Sequence, residues 1–174
     1  MCLANQLVYP IADASLRRDQ NDKNFGRQSH ITITNPETAR SRVALMKFDI
    51  KNIHKGDNIT ANLTLYISGT DDDRDYRTVN ICKVEDDFEE HDVTWKTYDP
   101  TCSDRSLSFN VHRDDVGKTG QINVADLINP GEDMLVIAFH VEDGGHVKLA
   151  SKDHPHMARM PRLLVSQHNG DDEM

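Results

Sequence analysis

Apolar and polar residues alternate along much of this chain. His30-Ile31-Thr32-Ile33-Thr34 does so ahead of an Asn35-Pro36 turn, and residues 62–68 interleave Leu63, Leu65 and Ile67 with Asn62, Thr64, Tyr66 and Ser68. A period of two puts alternate side chains on one face, so both segments read as half-buried strands. An apolar-rich strand spans 42–50 and ends at Lys55-Gly56-Asp57. Further strands are expected over 78–84, 93–95, 106–111, 134–140, 147–151 and 162–167. Gly, Asp, Asn and Pro clusters separate them, and the long helices that parallel βαβ units need are missing. Only Ile122-Asn123-Val124-Ala125-Asp126-Leu127-Ile128 reads as a short helix, closed by Pro130 because proline restrains the residue before it and cannot continue the ladder. The expected fold is all-β: an antiparallel β-sandwich of jelly-roll type with one short helix.

Composition narrows the class. At 174 residues, 37% hydrophobic and 28% charged, the chain suits one domain over 1–174, with an ordered core at about 8–167 and frayed ends. Its longest uncharged apolar run, 134–139, is too short to span a bilayer, which excludes a membrane protein. Twenty Lys+Arg against 29 Asp+Glu give a net charge of −9, which argues against nucleic acid as partner. Cys2, Cys82 and Cys102 show neither a CxxC spacing nor an even count, so reduced thiols are the default, with a Cys82–Cys102 bridge open in an oxidising compartment. No signal peptide is visible at the N-terminus; the chain is expected to be extracellular if cut from a larger secreted protein and cytoplasmic if complete. Sequons at Asn58 and Asn62 matter only in the first case. A monomer is expected.

A set of short motifs runs in order along the chain. Ile11-Ala12-Asp13-Ala14 opens the first strand, and Asn24-Phe25-Gly26 follows a polar loop. Then come the 41–50 strand, Ala61-Asn62-Leu63-Thr64-Leu65-Tyr66-Ile67, the acidic Glu85-Asp86-Asp87-Phe88-Glu89-Glu90 leading to Val93-Thr94-Trp95, and Val147-Lys148-Leu149-Ala150-Ser151-Lys152-Asp153-His154 before Pro161-Arg162-Leu163. In this order and spacing the chain resembles the DNRLRE-type domains, the group that includes carbohydrate-binding module family 96 and the disaggregatase-related domains. The resemblance covers roughly 8–167 and departs from the usual pattern at Lys47 and Lys152, where the family has Arg, and at Phe88, often Trp. It implies a β-sandwich that binds acidic polysaccharide, alginate being the best-known target.

Strand parity supplies candidate residues independently. If Ala44, Met46 and Phe48 face the core, Leu45, Lys47 and Asp49 face away; the same logic turns Tyr66, His140, Lys148 and Lys152 outward. Lys47, Tyr66, His140, Lys148 and Lys152 are therefore the candidate ligand-binding residues, forming one cationic face if their strands are neighbours. Cations pair with uronate carboxylates, and tyrosine offers a sugar an apolar body with a polar tip.

Other features weigh less. The basic loop Arg17 to Arg27 carries mixed signs and reads as solvated, and Trp95, the single tryptophan, reads as core. The acidic runs 71–75 and 85–90 lack EF-hand spacing; a structural Ca2+ is a candidate cofactor by resemblance to sugar-binding jelly rolls, with no ligands assigned. His140, His146, His154 and His156 are close in sequence, but Pro155 restrains the last two from meeting one ion. Elbow, P-loop and HExxH motifs are absent. The leading reading is a non-catalytic carbohydrate-binding module for an acidic, alginate-like polysaccharide. The rival is a free-standing intracellular small-molecule enzyme of cyclase or isomerase type, with His140, His154, Tyr66 and Lys47 as its chemistry.

Overall fold

The computed structural model describes residues 2–35, 40–53, 58–71, 74–142 and 144–168, of which 2–4 and 168 are described by backbone alone. They form eleven strands: β1 (Cys2–Val8), β2 (Ala12–Arg17), β3 (His30–Thr34), β4 (Arg42–Asp49), β5 (Ile59–Thr70), β6 (Tyr76–Lys83), β7 (Ser106–His112), β8 (Thr119–Asn123), β9 (Met134–Val141), β10 (His146–Ala150) and β11 (Arg162–His168). One sheet runs β1-β11-β5-β10-β3, with β8 also on β5; the other runs β2-β4-β9-β6-β7. Every pairing is antiparallel. The chain changes sheet at almost every step from β1 to β10, which is the wiring of a jelly-roll sandwich. No helix among the described residues is long and apolar enough to cross a membrane.

Two apolar layers follow from the alternation. Ala44, Met46 and Phe48 of β4 lie between the sheets with Leu63, Leu65, Ile67, Leu135, Ile137 and Phe139. On the opposite side of the five-stranded sheet, Ala12, Ala14, Leu16, Val43, Leu45, Val136 and Ala138 are buried as well. Their cover is the segment 84–105, which lays Val84, Phe88, Val93 and Tyr98 across them. Parity thus sorts the side chains correctly, yet the outward face of this sheet is roofed.

The roof is fastened at several points, and its fasteners explain several of the sequence motifs. The Asn24 side-chain amide donates to the carbonyls of Glu90 (2.8 Å) and Val93 (2.9 Å), while its oxygen accepts the Gly26 N–H (3.1 Å). Residue 26 must be glycine because a Cβ there would run into the Glu90 carbonyl. Lys47 donates to the Asp87 carboxylate (2.8 Å) and the Phe88 carbonyl (2.7 Å). The Tyr98 hydroxyl donates to the Asp86 carbonyl at 2.6 Å. At the far end a Cys82–Cys102 disulfide, with Cα atoms 5.4 Å apart, ties the roof back to β6, in place of the reduced thiols taken as default.

Three local expectations are corrected. Residues 122–128 are not a helix: Ile122 and Asn123 end β8 against β5, and Ala125–Leu127 makes a single 3-10 turn. Seven residues are too few to offset the nucleation penalty when a strand partner is at hand. Residues 93–95 are a turn rather than a strand, because Thr94 and Thr97 cap each other, each hydroxyl accepting the other's backbone N–H. The N-terminus, expected to fray, forms β1 and pairs with β11 from Asn5↔Ser166 to Val8↔Leu163.

Candidate functional site

The five candidate ligand-binding residues do not share one face. Lys47 on β4 and His140 on β9 belong to the five-stranded sheet, whereas Tyr66 on β5 and Lys148 on β10 belong to the six-stranded one. Parity gives the side of a sheet; it does not say which sheet. Lys47 is only 6% exposed beneath the roof. Its ammonium also lies 5.1 Å from the Phe88 ring centre. His140 sits half-buried beside Asn80, its Nε2 3.4 Å from the Asn80 amide, and burial pulls its pKa below the ordinary histidine range.

Lys152 lies just past β10, bonded to Glu90 (3.0 Å) and Asp153 (3.2 Å). Its backbone N–H donates to Asp13 at 2.6 Å, and the Asp13 N–H donates to Glu90 at 3.1 Å. Lys152 therefore joins the end of β10 to the roof. Asp13, Glu90 and Asp153 bring carboxylate oxygens within 4.8 Å of one another. The Lys152 ammonium already bonds two of the three, Glu90 and Asp153, which makes this cluster a poor fit for calcium. Of the other acidic run, Asp71 binds Arg77 (2.6 Å) and the His146 N–H (2.7 Å); Asp72 and Asp73 lie outside the described residues.

The outer side of the six-stranded sheet collects a different group. Leu63, Leu65 and Ile67 point inward, so Tyr66 points out. Ile31, Ile33, Val147 and Leu149 do the same for His30 and Lys148. In register Lys148 lies opposite Thr32 on one neighbour and Gly69 on the other. The turn after β10 lays His154 over this surface, its ring 5.2 Å from His30 and 6.5 Å from Tyr66. His154 Nδ1 accepts the His156 N–H at 3.0 Å, so its neutral ring carries the proton on Nε2. From the 3-10 turn Met157–Arg159, the Arg159 guanidinium stacks 4.7 Å over the Tyr66 ring.

Tyr66, His30, His154, Lys148 and Arg159 thus form one patch. Burial pushes the His30 pKa down, and the neighbouring Lys148, His154 and Arg159 push it further. Lys148 and Arg159 have no acidic partner among the described residues. A hollow of about 410 Å³ continues the patch along β3 and β10, lined by Thr32, Thr34, Arg40, Arg42, His146 and Lys148. Tyr66, Lys148 and His154 were legible from the sequence. His30 was missed although it alternates outward in its strand; Arg159 carries no periodic signal at all.

The remaining candidates have structural partners. Arg17 holds Gln28 (2.8 Å) and stacks 3.9 Å over Phe25. Trp95 packs, partly buried, against the roofed cluster, as a core reading expects. No curated protein matches this chain. The family model for carbohydrate-binding module family 96 matches residues 4–167. With nearly the whole sequence covered, the chain belongs to carbohydrate-binding module family 96.

Proposed function

We propose that this carbohydrate-binding module recognises an acidic, alginate-like polysaccharide, without catalysis, on the outer side of its six-stranded sheet. Tyr66, His30, Lys148 and Arg159 are the contact set, with the buried His154 packed against His30 and Tyr66 as their support. The observation that carries the reading is the pairing of two acid-free cations, Lys148 and Arg159, with an aromatic ring on the sheet that the 84–105 roof leaves alone. A uronate would set its carboxylate against the guanidinium or ammonium and its sugar ring against Tyr66 and His30. The five-stranded sheet offers less, since Lys47 is already bonded under the roof. The enzyme reading loses its site for the same reason: Lys47 and His140 lie on the other sheet from Tyr66 and His154.

Affinity electrophoresis in gels containing alginate, pectate or a neutral glucan tests this. Retardation is expected in the two acidic gels alone. Arg159→Ala and Lys148→Ala should each weaken it about tenfold, the loss of ~1.4 kcal/mol. Equal mobility in every gel overturns the reading.

A further inference from the structure

Cys82, Cys102 and His140 meet on the roofed side of the molecule, on the opposite sheet from Tyr66. In the β6–β9 ladder Asn80 lies opposite His140 and Cys82 opposite Ala138. Cys82 and His140 are therefore diagonal neighbours on the same side of two central strands. Cys102 arrives from the end of the roof, where the Ser103 N–H donates to the Lys83 carbonyl (2.9 Å) and the Lys83 N–H to the Arg105 carbonyl (3.2 Å). Both sulfurs and one His140 nitrogen lie within 4.8 Å of one another. The frame that gathers them is a strand ladder and a pair of backbone hydrogen bonds in addition to the S–S bond itself.

Two thiolates and an imidazole are a donor set for zinc. We propose that reduction of the Cys82–Cys102 disulfide converts this cluster into a Zn2+ site, with Cys82 Sγ, Cys102 Sγ and a His140 ring nitrogen as ligands and water in the fourth position. In the reducing step a dithiol passes two electrons and two protons to the S–S bond. The bond breaks into two thiols while the dithiol closes to its own disulfide. Zn2+ then displaces both thiol protons to solvent and forms two Zn–S bonds and one Zn–N bond. A tetrahedral ion wants its sulfurs about 3.8 Å apart, an opening that rotation about the two Cα–Cβ bonds supplies. In the oxidised chain each sulfur is bonded to the other and neither is an anionic ligand, so the two states exclude each other.

The test uses the full chain, reduced with a phosphine that brings no thiol of its own and titrated with Co2+ as the coloured stand-in for Zn2+. The reduced chain is expected to take up one Co2+, with thiolate-to-cobalt charge transfer and the visible bands of a tetrahedral site, and to lose the colour when Zn2+ is added. The oxidised chain should stay colourless. His140→Asn should weaken Co2+ at least tenfold while keeping the charge-transfer band, and Cys102→Ser should abolish that band. Circular dichroism accompanies each titration, and a reduced chain that unfolds and is refolded by Zn2+ supports the site. Folded reduced protein without charge transfer, unchanged affinity in His140→Asn, or unfolding that Zn2+ does not reverse overturns it.

Discussion

Asp13 shows how one buried group ties the fold to pH. It sits on β2, 1% exposed, accepting the Lys152 N–H while facing Glu90 and Asp153. Burial first, then the two neighbouring carboxylates, push its pKa from 3.8 to about 7; the bond from Lys152 works against them. In the unfolded chain the group ionises near its ordinary value. Below that value both states are protonated and Asp13 carries no penalty. As pH rises through 7 the folded chain must ionise a buried carboxyl, so stability is lost across the interval between the two values. Asp13→Asn keeps an oxygen for the Lys152 N–H and removes the titration. Between pH 5 and pH 8 the unfolding free energy of the wild type should therefore fall relative to that of the variant by about 2.7 kcal/mol, the two pH units from 5 to about 7 at 1.36 kcal/mol per unit. A difference that stays constant with pH would sink this account.

At the scale of elements, the roof decides what the strand cations do. Lys47 and Lys152 stand where the family pattern usually has Arg, and both hold the roof: Lys47 through Asp87 and the Phe88 carbonyl, Lys152 through Glu90. Lys47→Ala leaves a buried carbonyl unpaired and loosens the cover over Leu45 and Val136. It should lower stability by about 2 kcal/mol, as removal of one partner of a buried charge-assisted bond does, and leave polysaccharide retardation unchanged. Reduced retardation at unchanged stability would return Lys47 to the binding face. Strand alternation made β3 to β7 and β9 to β11 readable before any coordinates, and it also assigned Leu45 and Lys47 to the side away from the central core. It missed β1 because Cys2-Leu3-Ala4-Asn5-Gln6-Leu7-Val8 does not alternate, and it could not show that 84–105 folds back over β4 and β9. That return depends on Asn24 and Gly26, 60 residues and more upstream of the carbonyls they meet, a separation no local pattern encodes.

The whole molecule carries a net charge of −9, yet its charges are unevenly arranged. Asp71, Asp87, Glu90 and Glu132 are bonded to Arg77, Lys47, Lys152 and Lys83, while Lys148 and Arg159 gather around Tyr66. Burial first, and then the neighbouring cations, hold the His30 pKa down; an anion bound among them would offset the cationic part, so binding should take up a proton there. Affinity for alginate is accordingly expected to rise as pH falls from about 8 towards 5.5, where the uronate is still ionised. His30→Gln should flatten that slope, which separates the local effect from the general loss of negative charge on acidification. Calorimetric titrations across this range in both proteins check it, and parallel slopes would count against His30 as the coupled group. The two-sidedness has one further consequence. Residues 82–102 form a covalent ring closed by the disulfide, so a protease that cuts once between Cys82 and Cys102 releases nothing: the nicked molecule remains a single covalent body, and becomes two fragments only when a reductant opens the ring.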